Sequence, residues 1–271
     1  MESPVTEPAT DTAWWGSFRL EAGQWGCWAV GPLDLWLRRL PSEWILAPVV
    51  DAGPEDRAAQ AAVPAAGSPP LDAGRQTRFV EGETRGPVEL SPGLADRPVV
   101  TRPEGTLFLL AGEEVCLYVS SPLWVRVEAG EPRGLLAEMP IARPSDTWFG
   151  PSSREGELAY AARTRACTDP AALPRSPCRA VTMVRLRNET RTPMPLERLS
   201  LPAPNLSLYA GGDGRLWTEP LALTLGPDPD AVSLVMEKQP PPAVPEPRLV
   251  REPRARPERN RLVRALGSLI R

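Results

Sequence analysis

The chain has 271 residues, of which 35 are proline and none is histidine, and its formal net charge is −3. Proline at about 13 per cent, against a usual ~5 per cent, argues against long helices, because it lacks the N–H a helix interior needs and its ring clashes with the preceding turn. The missing histidine removes the commonest general base, the commonest metal ligand and every Ser–His or Cys–His nucleophile, so neither metal nor cofactor is expected and the chain reads as non-enzymatic.

Residues 1–12 are polar and proline-bearing, and are expected to be disordered. They carry acids where a secretory signal needs a positive start and an apolar run. From Trp14 the character changes: Trp14, Trp15, Trp25, Trp28, Trp36 and Trp44 are six of the nine tryptophans. The runs from Gln24 and from Leu33, broken by Gly31-Pro32, alternate apolar with polar residues and predict two strands; a third follows Pro41-Ser42, making an antiparallel meander. Trp28, Trp36 and Trp44 are expected in its core rather than on a carbohydrate-stacking platform.

Residues 51–75, rich in Ala, Pro, Gly and Asp, have no apolar period and predict a flexible insertion. Strands resume at Thr77, Val88, Pro98 and Thr106. Two alternating runs, Glu114 to Ser120 and Leu123 to Glu128, separated by Ser121-Pro122, predict a hairpin. Residues 140–238 then hold seven short strand-like runs with turn signals between them, the pattern of an immunoglobulin-like sandwich. Gly211-Gly-Asp-Gly214 reads as a hairpin turn, because a calcium loop needs more carboxylates than Asp213 supplies.

Pro240-Pro-Pro opens a Pro-rich spacer over residues 239–257. Residues 258–271 place Leu262, Val263, Leu266, Leu269 and Ile270 at i, i+1, i+4, i+7 and i+8, one face of a helix, flanked by Arg259, Arg261, Arg264 and Arg271. Residues 240–271 contain eight arginines against Glu246, Glu252 and Glu258, a balance of +5 that leaves −8 on the preceding 239. An acidic body without a basic, aromatic-laced stripe does not suit nucleic acid. The tail reads in two ways, as a helix docked on the chain's own body or as an arm for an anionic membrane face or a partner's groove.

The expected fold is therefore all-β: two antiparallel β-sandwich domains, at 13–139 and 140–238, plus a C-terminal amphipathic helix whose binding residues are Arg261, Leu262, Arg264, Leu266, Leu269 and Ile270. No run approaches the ~18 apolar residues of a membrane span, so a cytoplasmic protein, peripheral to the inner membrane through its tail, is expected. Cys27 and Cys116 sit in apolar runs as small hydrophobes. Cys167 and Cys178 read as free thiols in a reducing compartment or as a pair in an exported protein. Asn188-Glu-Thr190 matches a glycosylation acceptor, which carries no weight in a cytoplasmic setting.

A second candidate site is the segment 143–158, too polar for a core strand, with Arg143, Asp146, Trp148, Arg154, Glu155 and Glu157. It reads as an interdomain linker, as a surface for a small ligand, carbohydrate or partner, or as a carboxylate pair such as Asp146 and Glu155 for glycoside hydrolysis, which needs a defined separation between the two acids. The run Trp25…Trp28-Ala-Val-Gly-Pro-Leu-Asp-Leu-Trp-Leu-Arg-Arg…Glu43-Trp44, with Leu117-Tyr-Val-Ser-Ser-Pro-Leu-Trp-Val125 and Arg143 to Leu158, resembles the prokaryotic family called domain of unknown function 432, over about residues 14–235. That family has no assigned activity, so no catalytic residue is implied. Its genes lie near those of small mechanosensitive channels, which implies a membrane-protein partner for the basic tail.

Overall fold

Alternating apolar and polar residues between Gly and Pro turns give strands with one face inward. The computed structural model describes residues 14–70, 76–102, 107–150, 154–163, 166–226 and 232–256. In chain order its strands are β1 (Gly16–Phe18), β2 (Trp25–Val30), β3 (Leu33–Leu40), β4 (Glu43–Val49), β5 (Gln60–Ala62), β6 (Thr77–Val80), β7 (Val88–Gly93), β8 (Val99–Arg102), β9 (Leu107–Leu109), β10 (Glu114–Pro122) and β11 (Trp124–Ala129). There follow β12 (Gly134–Pro140), β13 (Ser145–Phe149), β14 (Glu157–Arg163), β15 (Arg179–Asn188), β16 (Met194–Leu196), β17 (Leu199–Leu201), β18 (Leu208–Ala210), β19 (Leu216–Thr218), β20 (Leu221–Leu225), β21 (Val232–Met236) and β22 (Arg248–Arg251). Two single-turn 3-10 helices, at Pro170–Ala172 and Ala203–Asn205, are the helical structure among the described residues. The protein is all-β.

The chain divides into two units, Met1–Ser91 with Val125–Ala142, and Pro92–Trp124 with Arg143–Arg271. The division differs from the expected 13–139 and 140–238, because residues 92–124 pack with the second unit. The expected C-terminal helix at 258–271, like the N-terminal stretch 1–12, lies outside the described residues.

In the first unit the predicted meander is present, within a sheet ordered β5-β2-β3-β4-β6, beside a sheet ordered β1-β7-β11-β12. β2 and β3 pair from Trp25↔Arg38 to Val30↔Leu33, and Gly31 closes the turn with φ +51°. Trp28, Val30, Leu33, Leu35, Leu37, Trp44 and Leu46 are buried, with Phe18 edge-on to Trp28 at 5.2 Å. Trp28 and Trp44 are core residues as expected. Trp36 is not: strand alternation turns it to the other face, where it is half-buried against Trp25.

Residues 51–70 are not a free insertion. β5 pairs β2, Ala52 N–H donates to Pro32 O, Ala65 N–H donates to Trp25 O, and Arg57 Nη2 meets Asp34 Oδ1 at 2.5 Å. Low apolar content made this segment look unable to order itself, but backbone pairing to an existing edge strand does not need apolar content.

In the second unit the sheets are β21-β20-β15-β19-β18-β22, with β10 also on β15; β13-β14-β8-β17; and the ribbon β16-β9. They are not purely antiparallel, since β14 runs parallel to β8, and β15 runs parallel to β19 and β20. The hairpin predicted across Ser121-Pro122 does not form. β10 pairs β15 along nine residues, from Glu114↔Arg187 to Pro122↔Arg179. Ser121 and Pro122 remain extended, the backbone a residue before proline prefers, and β11 joins the first unit's sheet instead.

The Gly211–Gly214 turn does form, between β18 and β19, with Gly214 at φ +77° and Asp213 Oδ1 accepting from Arg215 N–H and Trp217 Nε1. Asn188 is fully buried and donates to Leu109 O, Leu110 O and Thr192 O, so it is a structural hub and is closed to glycosylation in the folded protein.

The expected Pro-rich spacer is a docked strap over its described part. Val244 is buried with Leu173, Val181 and Trp217, and β22 pairs β18. Arg251 Nε donates to Pro92 O at 3.0 Å, and Arg254 Nε and Nη2 donate to Leu94 O at 2.8 and 2.7 Å. Ala255 N–H donates to Pro204 O, and Asn205 Nδ2 donates to Ala255 O. Proline removes backbone donors, yet β22 itself contains none, so the strand can add to the β18 edge.

Candidate functional site

Ser145–Phe149 and Glu157–Arg163 are strands that pair antiparallel, from Ser145↔Ala161 to Phe149↔Glu157, so the described part of 143–158 is largely sheet rather than linker. The two strands approach closely at the glycines. A Cβ on Gly150 would collide with the Glu155 carbonyl and the Gly156 Cα, and one on Gly156 would collide with the Phe149 carbonyl. β13 is an edge of its sheet among the described residues.

Register decides what each face of the hairpin carries. Trp148 opposes Leu158 and Asp146 opposes Tyr160, so these four share a face. Phe149 and Ala159 are buried on the other. Trp148 and Leu158 are 47% and 46% exposed, a pair of large apolar groups open to solvent side by side.

Next to them lies a polar network. Tyr160 Oη donates to Asp96 Oδ1 at 3.0 Å, the Arg97 guanidinium lies over the Tyr160 ring at 5.3 Å, and Arg97 Nη1 meets Asp146 Oδ1 at 3.3 Å. Arg143 approaches Asp146 Oδ2 at 3.9 Å, and buried Trp124 packs against Tyr160 with centroids 5.3 Å apart. Burial pushes the Tyr160 phenol above its usual range, helped by the bond and charge of Asp96 and opposed by Arg97. Exposed ion pairs of this kind are worth roughly 0–1 kcal/mol. Their consequence here is orientation: the network fixes planar donors and acceptors beside an aromatic step.

The sequence-predicted residues fare unevenly. Arg143 and Asp146 are brought together, and Trp148 stands two residues along the same face. Arg154 and Glu155 are exposed near the hairpin tip, and Glu157 opposes Phe149, which puts it on the face away from Asp146. Of the acids proposed for glycoside hydrolysis, Glu157 is thus on the face away from Asp146, and Glu155 lies outside the paired residues of β13 and β14, so strand register does not set it opposite Asp146. Asp96, Arg97, Tyr160 and Trp124 complete the network and were missed, since apart from the adjacent Asp96 and Arg97 they lie 27 or more residues from one another and carry no local motif.

A family model described as "Protein of unknown function (DUF432)" matches residues 14–271. The chain belongs to this family. The match runs beyond residue 235, so in this DUF432 protein the strap and the basic tail fall inside the family's extent rather than outside it. None of the curated proteins and none of the solved structures matches the chain.

Other chemistry in the DUF432 chain is sparse. None of the four cysteines is bridged to another. Among the described residues no three His, Cys, Asp or Glu side chains gather as a metal site, and no helix is long and apolar enough to cross a membrane. The tail residues Arg261, Leu262, Arg264, Leu266, Leu269 and Ile270 lie outside the described residues. Before them, Arg254 binds Leu94 O, two residues from Asp96.

Proposed function

We propose that this DUF432 protein is a non-enzymatic accessory protein that binds a partner protein through the face of Trp148, Leu158, Tyr160, Asp146, Arg97 and Arg143. In this reading each unit is a β-sandwich that serves as a scaffold, and the protein works in the cytoplasm beside the inner membrane. The observation that carries the reading is the exposed Trp148–Leu158 pair set beside a fixed Arg–Asp–Tyr network. Trp, Tyr and Arg dominate binding energy at protein interfaces, and a large aromatic left half-open on a rigid strand offers contact area without a cost in ordering.

The partner to try first is a small mechanosensitive channel in nanodiscs, measured against wild type, Trp148→Ala and Arg97→Ala. Truncating an anchor tryptophan typically costs about 2 kcal/mol or more, so Trp148→Ala should weaken binding by at least about 30-fold with the melting temperature unchanged. Equal affinity of all three proteins would remove the face from the function. A panel of soluble oligosaccharides separates the small-ligand reading, in which Trp148→Ala abolishes ligand-induced thermal stabilisation.

The basic tail supports a second reading, engagement of an anionic membrane surface. The docked strap supports it, because it holds the chain through Ala255 on the body. Co-sedimentation with phosphatidylcholine vesicles containing phosphatidylglycerol, with the chain complete or ended after Arg256, tests it. Binding that survives the truncation argues against the tail.

A further inference from the structure

We propose that residues 258–271 dock on the Trp148–Leu158 face of their own molecule, so that tail and partner are alternative occupants of one site. This rests on the reading of that face as a binding face and adds what regulates it. Three observations converge on it.

The first is where the described chain stops. Arg254 grips Leu94 O at 2.7 Å, Asp96 follows within about 8 Å of backbone, and Asp96 holds Tyr160 at 3.0 Å. Leu158 stands two residues from Tyr160 on the same face, about 7 Å further on. With the Arg254, Asp96 and Tyr160 side chains that it crosses included, the path from the strap's last arginine clamp to the apolar step is at most on the order of 35 Å. Residues 257–271 span about 50 Å when extended, which exceeds that path, so the tail reaches the face without moving the strap.

The second is chemistry. The tail's sequence puts Leu262, Val263, Leu266, Leu269 and Ile270 at helical spacing, a stripe that wants an apolar surface, and a segment of this length is marginal as a helix without one. Trp148 and Leu158 are such a surface. The third is charge, at the level of the whole molecule: Arg259, Arg261, Arg264 and Arg271 flank that stripe, and residues 240–271 carry +5 against −8 on the preceding 239; at the face itself Asp146 is already paired with Arg97 and Arg143. Among the described residues of this unit the other exposed large apolar side chains are Leu107, Phe108 and Leu110 at the β9 ribbon, which has no such link to the end of the strap, and the single residues Val235 and Leu249, neither of which by itself covers a five-residue stripe.

Hydrogen exchange of the full chain, with no partner or lipid present, tests the contact. Amides of 258–271 should exchange roughly tenfold or more slowly than in a free peptide of the same sequence, at a rate independent of protein concentration. Trp148→Ser with Leu158→Ser should return them to the peptide rate, while Leu107→Ser with Phe108→Ser should not. Because the first pair sits in the folded body, Arg261→Glu with Arg264→Glu provides a variant that cannot unfold it: peptides covering 145–160 should then exchange faster. Tail amides at the free-peptide rate in wild type would overturn the proposal, as would protection lost through the ribbon variant or present only at high concentration. None of these readouts involves a partner, so partner binding that depends on Trp148 would stand even if the tail never docks.

Discussion

Two proline-rich segments, residues 51–70 on the first unit and 240–256 on the second, look alike in composition and are held by different physics. The earlier one is laid on an edge: a three-residue strand, two backbone bonds to Pro32 and Trp25, and one half-buried ion pair. The later one is built in. It gives Val244 to a core cluster, a strand to the edge of the largest sheet, and two arginines to carbonyls at residues 92 and 94. Proline content therefore says where a segment cannot be helical, and a handful of side chains decide whether it is structural.

Truncation should show the contrast most strongly. Ending the chain after Gln239 removes β22 and Val244 and opens the space beside Trp217, at a cost of at least ~3 kcal/mol by analogy with large core deletions; ending it after Arg256 should leave the denaturant midpoint of the body close to wild type. Equal midpoints for the two truncations would reduce the strap to a passenger. Val244→Ala asks the same of one side chain, with about 2 kcal/mol lost. Arg254→Ala should cost about 1 kcal/mol, the order of a net hydrogen bond, and should raise exchange at the Ala255 amide before any global change.

This contrast also marks what could be read from residues alone. The β2–β4 meander and the Gly211–Gly214 turn were legible because each pairing lies within a few residues of its turn, and period-two alternation with a Gly break specifies it. The Ser121-Pro122 hairpin was misread because β10 finds β15 some 60 residues away, and alternation names no partner. The two proline-rich segments were misread as free for a related reason: composition averages over a window, while Val244, Arg251, Arg254 and Arg57 act singly. At the candidate face, Arg143, Asp146 and Trp148 stood out as polar and aromatic residues crowded into one short run. Arg97 and Tyr160 did not, because only the β14–β8 pairing brings them together.

On the first unit the expected effects are smaller. Arg57→Ala breaks a partly buried ion pair with Asp34 and a hydrogen bond to Leu33 O, so a loss of about 1 kcal/mol is expected, measured as a small shift of the urea midpoint. A loss comparable to that of Val244→Ala would erase the distinction between the two segments.

The finest probe is Cys27, which pairs across to Ala62 of the laid-on strand. Burial pushes its thiol up to about 12 from an ordinary value of 9.0, with the Asp34 carboxylate adding to the rise and Arg57 opposing it. A raised thiol keeps the neutral form in the folded state, so its contribution to stability is complete below about pH 9 and is lost as pH climbs towards 12. Because the thiolate is the reactive species, iodoacetamide at pH 8 should leave Cys27 almost unlabelled in the native protein and label it readily in urea. In the second unit burial also raises Tyr118, Tyr160, Tyr209 and Cys167, so alkaline destabilisation alone does not distinguish the units, whereas labelling followed peptide by peptide does. Faster labelling of Cys27 in Arg57→Ala, despite the loss of a charge that favours the thiolate, would mean that the segment lifts from β2. Slower labelling would mean that it stays seated, and that Arg57 acts there only through its charge.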